Sequence, residues 1–191
     1  MTNKIENRKS EIIRIAAKLF KEKGYSAVTM RDLAAEMGIK AASLYNHIRS
    51  KEDILNTIII SIAEAFTDGM KLIKASNDNC KEKLRQIIEL HVRLSSQNIY
   101  GMASLNNDWM HLQNQQEYYK VLRANYENDF RKILEEGITS GDLINVKPEV
   151  MLFSILTTLR SLYLWIPKKE DLDLQELSET LYQILVEGIN K

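Results

Sequence analysis

Apolar residues recur along this chain at intervals of three and four, and no stretch shows the alternation of a strand. Ile12, Ile15, Ala16, Leu19 and Phe20 form a helical stripe over residues 8–23 that Gly24 ends. Leu33, Ala34 and Met37 predict a short second helix. Leu44 and Ile48, an i, i+4 pair, predict a third over residues 42–48. From Ser50, an N-cap with Asp53 at its third position, a fourth helix runs through Ile54, Leu55, Ile58, Ile62, Phe66, Met70 and Ile73. Its roughly 25 residues span about 37 Å, a rod joined to both halves of the chain. Asn77-Asp78-Asn79 breaks the pattern before a helix through Leu84, Ile87, Ile88, His91 and Leu94. A shorter aromatic- and methionine-rich piece follows, from Tyr100 to Leu112. A long helix then runs from Tyr118 to Ile138, stopped by Ser140-Gly141. Pro148 opens a helix to Ile166 that is apolar nearly all round and needs burial on several sides. Asp173 caps a last helix, Leu174 to Ile189, with one apolar face. The fold class is all-α: a three-helix domain over residues 1–51, then a larger helical domain over residues 52–191.

The segment Thr29–Leu55 carries the chemistry. Thr29 is an N-cap with Asp32 three residues on, Gly38 occupies a helix stop, and Ile39 plugs the turn. Two short helices joined by a glycine turn are the helix-turn-helix arrangement. With Leu44 and Ile48 inward, the remaining side chains of the next helix face out. Small Ala41, Ala42 and Ser43 permit close approach to a base, and Tyr45, Asn46 and His47 can hydrogen-bond to base edges in a major groove. Thr29, Arg31, Lys40 and Lys51 complete the candidate contacts to double-stranded DNA, with Arg31 and Lys51 expected on phosphates; Lys4, Arg8 and Lys9 could reach phosphates from a mobile arm.

Charge sharpens this reading. The formal net charge is zero, but residues 1–51 hold 11 Lys and Arg against 5 Asp and Glu, and the remainder 15 against 21. A basic head on an acidic body is what phosphate attraction requires. Composition is otherwise that of a globular protein, with 45% hydrophobic and 27% charged residues. No run approaches 18 apolar residues, the N-terminus lacks a signal-peptide core, and Cys80 stands alone, so a cytoplasmic protein without an internal disulfide is expected.

Residues 9–55 resemble the DNA-binding domain of the TetR family of bacterial transcriptional regulators. The resemblance rests on Ile12 to Phe20 with Gly24-Tyr25, Thr29 to Ala34, Gly38-Ile39, Leu44 to Ile48, and Ser50-Lys51-Glu52. The chain departs from the family pattern at Lys40, where a small hydroxyl residue usually caps the recognition helix; Ser43 is placed to meet a phosphate instead. The resemblance implies a ligand-responsive regulator, a homodimer whose second domain binds an effector. Residues 109–189 more loosely resemble branches that include acyl-CoA-responsive members, through Trp109-Met110, Glu135 to Ile138, Gly141-Asp142-Leu143 and Tyr163-Leu164-Trp165. That would imply a fatty acyl effector; a generic hydrophobic one competes with it.

Expected pocket residues are Phe66, Met70, His91, Trp109, Tyr126 and Arg160, where methionine adapts and aromatics offer a polar tip. Arg160, a cation in an otherwise apolar helix, either pairs with an acidic side chain or meets an anionic head group. The dimer seam is expected on the last two helices, at Leu159, Leu177, Leu181, Ile184, Leu185 and Gly188, with Ser161 allowing close approach. The three histidines have no neighbouring ligand set, and no nucleophile, phosphate-loop or zinc motif occurs, so neither metal, cofactor nor catalysis is expected. The contrasting reading is a helical adaptor that binds a protein, with an N-terminal hairpin that only packs.

Overall fold

The computed structural model describes residues 2–188, with side chains from Arg8 onward. Ile189, expected to close the last helix, and the Lys4 side chain lie outside the described residues. Among the described residues every regular element is helical. Two compact units form, and they do not follow a linear boundary at residue 51: one combines Met1–Ala63 with Tyr100–Lys120, the other Glu64–Ile99 with Val121–Lys191.

In the first unit, α1 (Thr2–Lys23) starts before the expected residue 8, so Arg8 and Lys9 sit within a helix and not on an arm. Its stripe of Ile12, Ala16, Leu19 and Phe20 is buried with Val28, Leu33, Leu44 and Ile48. α2 (Met30–Glu36) and α3 (Ala41–Leu44) follow. α3 is shorter than the sequence predicts. It holds four residues, and Tyr45–His47 continue as a turn in which the His47 and Ile48 N–H groups both donate to Leu44 O, at 2.9 and 3.0 Å. α4 (Lys51–Ala75) runs unbroken into the second unit. α6 (Ile99–Asn107) and a 3-10 turn over Trp109–His111 belong almost wholly to the first unit.

The second unit is built on α5 (Cys80–Gln97), capped by Asn79, whose side chain accepts from Glu82 N at 2.9 Å. α7 (Gln116–Ser140), which begins in the first unit, adds Phe130, Ile133 and Leu134 to the core. The expected single helix from Pro148 to Ile166 is two. α8 (Pro148–Arg160) stops at Ser161, whose hydroxyl bonds back to Thr157 O, and α9 (Leu162–Trp165) resumes. Residues 148–168 are long and apolar enough to cross a bilayer by length and composition alone, although Ser154, Thr157, Thr158, Arg160 and Ser161 interrupt the apolar run. Their inward face, Leu152, Ile155, Leu156, Leu159 and Leu162, is core. α10 (Leu174–Tyr182) packs on α5, where Arg85 pairs with Glu179 and lies 3.8 Å from the Tyr182 ring centre. A π-helical turn over Gln183–Glu187 follows α10, and Gly188 turns away at φ +90°.

The tightest approach in this unit is at Gly137. A methyl there would run into Cys80 Sγ and the Leu143 side chain, while the Leu143 N–H donates to Gly137 O at 3.0 Å. Cys80 gives its own thiol hydrogen to Ile133 O at 3.3 Å, and burial pushes the thiol pKa up to about 11. Gly137→Ala overfills this corner and should cost about 1–3 kcal/mol. A urea melt reads the loss directly, and the thiol of the variant should react faster with a thiol reagent than that of the wild type.

Candidate nucleic-acid interface and effector core

Residues 29–48 are fixed by backbone chemistry at each corner. Thr29 Oγ1 accepts from Asp32 N at 3.2 Å and Asp32 Oδ2 accepts from Thr29 N at 2.8 Å, a reciprocal capping box. The Thr29 hydroxyl also donates to Asp32 at 2.6 Å, and these bonds hold the Asp32 carboxyl below its usual range. At the far end Gly38 takes φ +64°; Gly38 N donates to Ala35 O at 3.1 Å and Ile39 N to Ala34 O at 3.0 Å, the paired bonds of a Schellman stop. That left-handed residue turns the chain into α3. Lys40 occupies the N-cap of α3 with no side-chain cap.

Leu44 and Ile48 point inward, buried to 0% and 1% exposure, which leaves the other residues of α3 and its turn outside. Arg31, Lys40, Ala42, Ser43, Tyr45 and Asn46 are exposed, Tyr45 at 56%. Thr29 is exposed too, with its hydroxyl engaged in the capping box. Ala41 and His47 are half-buried, and His47 Nδ1 is buried without a partner.

Lys51 is placed otherwise than the sequence suggested. Its ammonium donates to Val28 O at 2.8 Å, Tyr25 O at 2.9 Å and Ser26 O at 3.4 Å, and stands 4.3 Å from the centre of the Tyr25 ring. Three donors are directed at the chain's own carbonyls, so the side chain braces the start of α4 against the α1–α2 loop and is not turned to a phosphate. Tyr25 in turn stacks on His111 at 5.0 Å and meets Phe20 edge-on at 5.1 Å.

In the second unit three of the six expected pocket residues touch. Phe66 lies on His91 with centroids 4.6 Å apart, and Tyr126 meets both rings at 5.8 Å. His91 Nε2 and Tyr126 Oη are 2.9 Å apart. Met70 is buried in the same unit. Trp109 is not part of this cluster: it belongs to the first unit, where it packs on Tyr119 at 5.9 Å. Arg160 takes the acidic partner, bonding Glu127 Oε1 at 2.6 Å, and Arg123 holds the same oxygen at 3.0 Å. Burial raises the Glu127 carboxyl, but the bonds from Arg160 and Arg123 outweigh it and leave it low. Burial, and then the Arg160 charge, push the His91 imidazole down to about 3, while burial drives the Tyr126 phenol up. Both rings are therefore neutral. A separate open groove of about 590 Å³ is lined by Leu84, Leu143, Ile144, Val150, Met151 and Leu185; of these the sequence pointed only to Leu185, and to the dimer seam instead of a pocket. Among the described residues no group of three or more His, Cys, Asp or Glu could hold a metal ion.

The expected seam residues separate by burial. Leu159 and Leu177 are consumed by the chain's own core, at 0% and 9% exposure, and cannot reach a partner. Leu181 and Leu185 are half-buried; Ile184 and Gly188 are exposed. Sequence reasoning missed the apolar residues that stand outermost on α8 and α9, Val150, Phe153 and Leu164, of which Phe153 is 70% exposed. Their spacing was legible, but an all-round apolar helix does not say which face its own chain covers.

A capped helix, a left-handed glycine stop and a short outward-facing helix define a helix-turn-helix DNA-binding regulator, and the comparisons name its kind. The chain belongs to the TetR family: residues 12–58 match the model of bacterial regulatory proteins of the tetR family, and residues 77–189 that of the tetracyclin repressor-like C-terminal domain. It is similar to the fatty acid metabolism regulator protein of Bacillus subtilis (strain 168), 26% identical over 187 residues that cover 94% of each chain. It is also 27% identical over 136 residues to the HTH-type transcriptional repressor KstR2 of Rhodococcus jostii (strain RHA1), covering 70% of this chain and 67% of that one. The crystal structure of AibR in complex with isovaleryl coenzyme A and operator DNA shares the fold, with a TM-score of 0.78 at 21% identity over 94% of this chain and 98% of the other.

Two outcomes follow from the geometry. Lys51→Ala removes bonds to two part-buried carbonyls, those of Tyr25 and Val28, so it should destabilise the protein by about 1 kcal/mol. It should leave the salt dependence of DNA binding unchanged, whereas Lys40→Ala, if that side chain meets a phosphate, lowers the log–log salt slope by about 0.9. Fluorescence anisotropy across a salt series separates the two. The second outcome concerns His91. The unfolded chain takes up a proton near pH 6.5 that the folded chain refuses until about pH 3. The stability held by the neutral buried ring is thus complete above 6.5 and is lost as pH falls through that window. His91→Phe should remove this share of the slope, read as urea midpoints at pH 7 and pH 5.

Proposed function

We propose that the chain is a ligand-responsive repressor, a cytoplasmic homodimer released from its operator by a small hydrophobic effector, a fatty acyl-CoA foremost. The carrying observation is the exposed set on and beside α3, Arg31, Lys40, Ala42, Ser43, Tyr45 and Asn46, held out by two buried residues behind it. In this reading residues 1–51 bind DNA, with Thr29, Ala41 and His47 at the margin of the contact and Lys51 as the brace. Residues 52–191 carry the effector site and the dimer face. Two copies place their α3 helices in successive major grooves, about 34–36 Å apart.

The effector reading is supported by the cluster of Phe66, His91 and Tyr126, by a relative that is a fatty acid metabolism regulator, and by a structural neighbour crystallised with an acyl-CoA and operator DNA. α4 carries Lys51 in one unit and Phe66 in the other, so a change at the rings reaches the brace along one helix. A coupling of roughly 1–3 kcal/mol lowers operator affinity by about 5–150-fold. The dimer reading is supported by Val150, Phe153, Leu164 and Ile184, large apolar residues that a single chain leaves in water. Packing them across a two-fold axis builds a four-helix seam.

A mobility-shift assay on the protein's own upstream DNA tests this. The wild type should shift the DNA, and micromolar palmitoyl-CoA should release it. Phe153→Glu with Ile184→Glu should give a folded monomer by light scattering that no longer shifts the specific site. A dimeric double mutant would move the seam elsewhere, and failure to shift any DNA favours the adaptor reading.

A further inference from the structure

The ring cluster leaves two buried polar atoms unused. His91 and Ser95 lie one turn apart on the same face of α5, with 3% and 0% exposure. His91 Nδ1 and Ser95 Oγ are both buried without a hydrogen-bond partner. The tautomer follows from the bond on the other side of the ring. The Tyr126 phenol is best satisfied by donating to Nε2 at 2.9 Å, which puts the imidazole proton on Nδ1. The unused groups are then an N–H and an O–H, two donors in search of an acceptor. The nearby cation does not compete as a partner for a ligand, because Arg160 is already bonded to Glu127 at 2.6 Å. Phe66, 4.6 Å from the His91 ring, covers the imidazole face with an apolar lid.

We propose that His91 Nδ1 and Ser95 Oγ form a hydrogen-bonding subsite for an uncharged carbonyl of the effector, the thioester carbonyl of an acyl-CoA, engaged when the Phe66 ring moves aside. This rests on the acyl-CoA reading above and adds which end of the molecule the buried polar groups recognise. The neutrality of the imidazole, held down to about 3 by burial, matches a neutral acceptor and disfavours an ionised carboxylate. The acyl chain lies among the apolar residues of the second unit, and the phosphates of the coenzyme stay in water.

The test compares palmitoyl-CoA with S-hexadecyl-CoA, a thioether of the same length that lacks the carbonyl oxygen. Titration calorimetry on the full-length wild type should show the thioester bound about thirtyfold more tightly, the worth of two net hydrogen bonds of ordinary strength. Ser95→Ala and His91→Phe should each narrow that ratio and the double variant should abolish it, with thioether affinity little changed. Equal affinities in the wild type, or a ratio that survives both substitutions, overturns the subsite and leaves the acyl-CoA reading standing. Binding of neither ligand overturns both. Should His91→Phe fail to fold, the wild-type ratio and Ser95→Ala still decide the question.

Discussion

The backbone hydrogen bonding of α4 is the constraint on which the rest depends. It runs without a break from Lys51 to Ala75, so that it contributes residues to both compact units. Its start is fixed twice. Ser50 Oγ accepts from Asp53 N at 3.0 Å, and the Lys51 ammonium holds three carbonyls of the α1–α2 loop. Fifteen residues on, about 22 Å along the axis, the same helix carries Phe66 into the ring cluster. A helix cannot lengthen or bend cheaply between two such anchors, since each lost turn forfeits several backbone bonds at once. Whatever displaces Phe66 therefore acts on a helix whose start is tied to the α1–α2 loop.

What was legible in the sequence was chiefly backbone chemistry. Thr29 with Asp32, and Gly38 with Ile39, carry their structural role in residue type and spacing, and the capping box and the left-handed stop are both present. Leu44 and Ile48 were placed inward by period alone. The length of α3 was not legible, because the chain leaves the helix at Tyr45 in a turn whose residues, Tyr45, Asn46 and His47, carry no glycine or proline to mark it.

Long side chains and all-round apolar helices were the opaque places. Nothing in the sequence tells whether a lysine at a helix start turns to solvent or folds back on a loop more than twenty residues earlier, and Lys51 folds back. The stripe of Leu177, Leu181, Ile184 and Leu185 was visible, yet its phase was not: Leu177 faces the core and Ile184 faces water. The π-helical turn at Gln183–Glu187 shifts that phase by inserting one residue per turn beyond the α-helical count. Trp109 and the Phe66 cluster were grouped by residue type, and the chain puts them in different units.

The second unit spends its buried polar groups unevenly, and this bears on how an effector could be coupled to DNA. Glu127 Oε1 accepts from two arginines, whereas His91 and Ser95 each keep an unused polar atom. An arginine already in such a pair offers a ligand little to gain, because the pair must first be broken and its charges left unpaired. An orphaned donor gives a ligand the whole difference between a missing bond and a made one, since its desolvation has already been borne by folding. Against that gain stands the Phe66–His91–Tyr126 packing, worth about 0.5–1.5 kcal/mol per ring pair, which an entering ligand must disrupt. That cost works for regulation as well as against affinity. A ligand shifts an equilibrium only through contacts that differ between the two states. A ring that must leave its partner before a ligand can bond would tie binding to one position of Phe66.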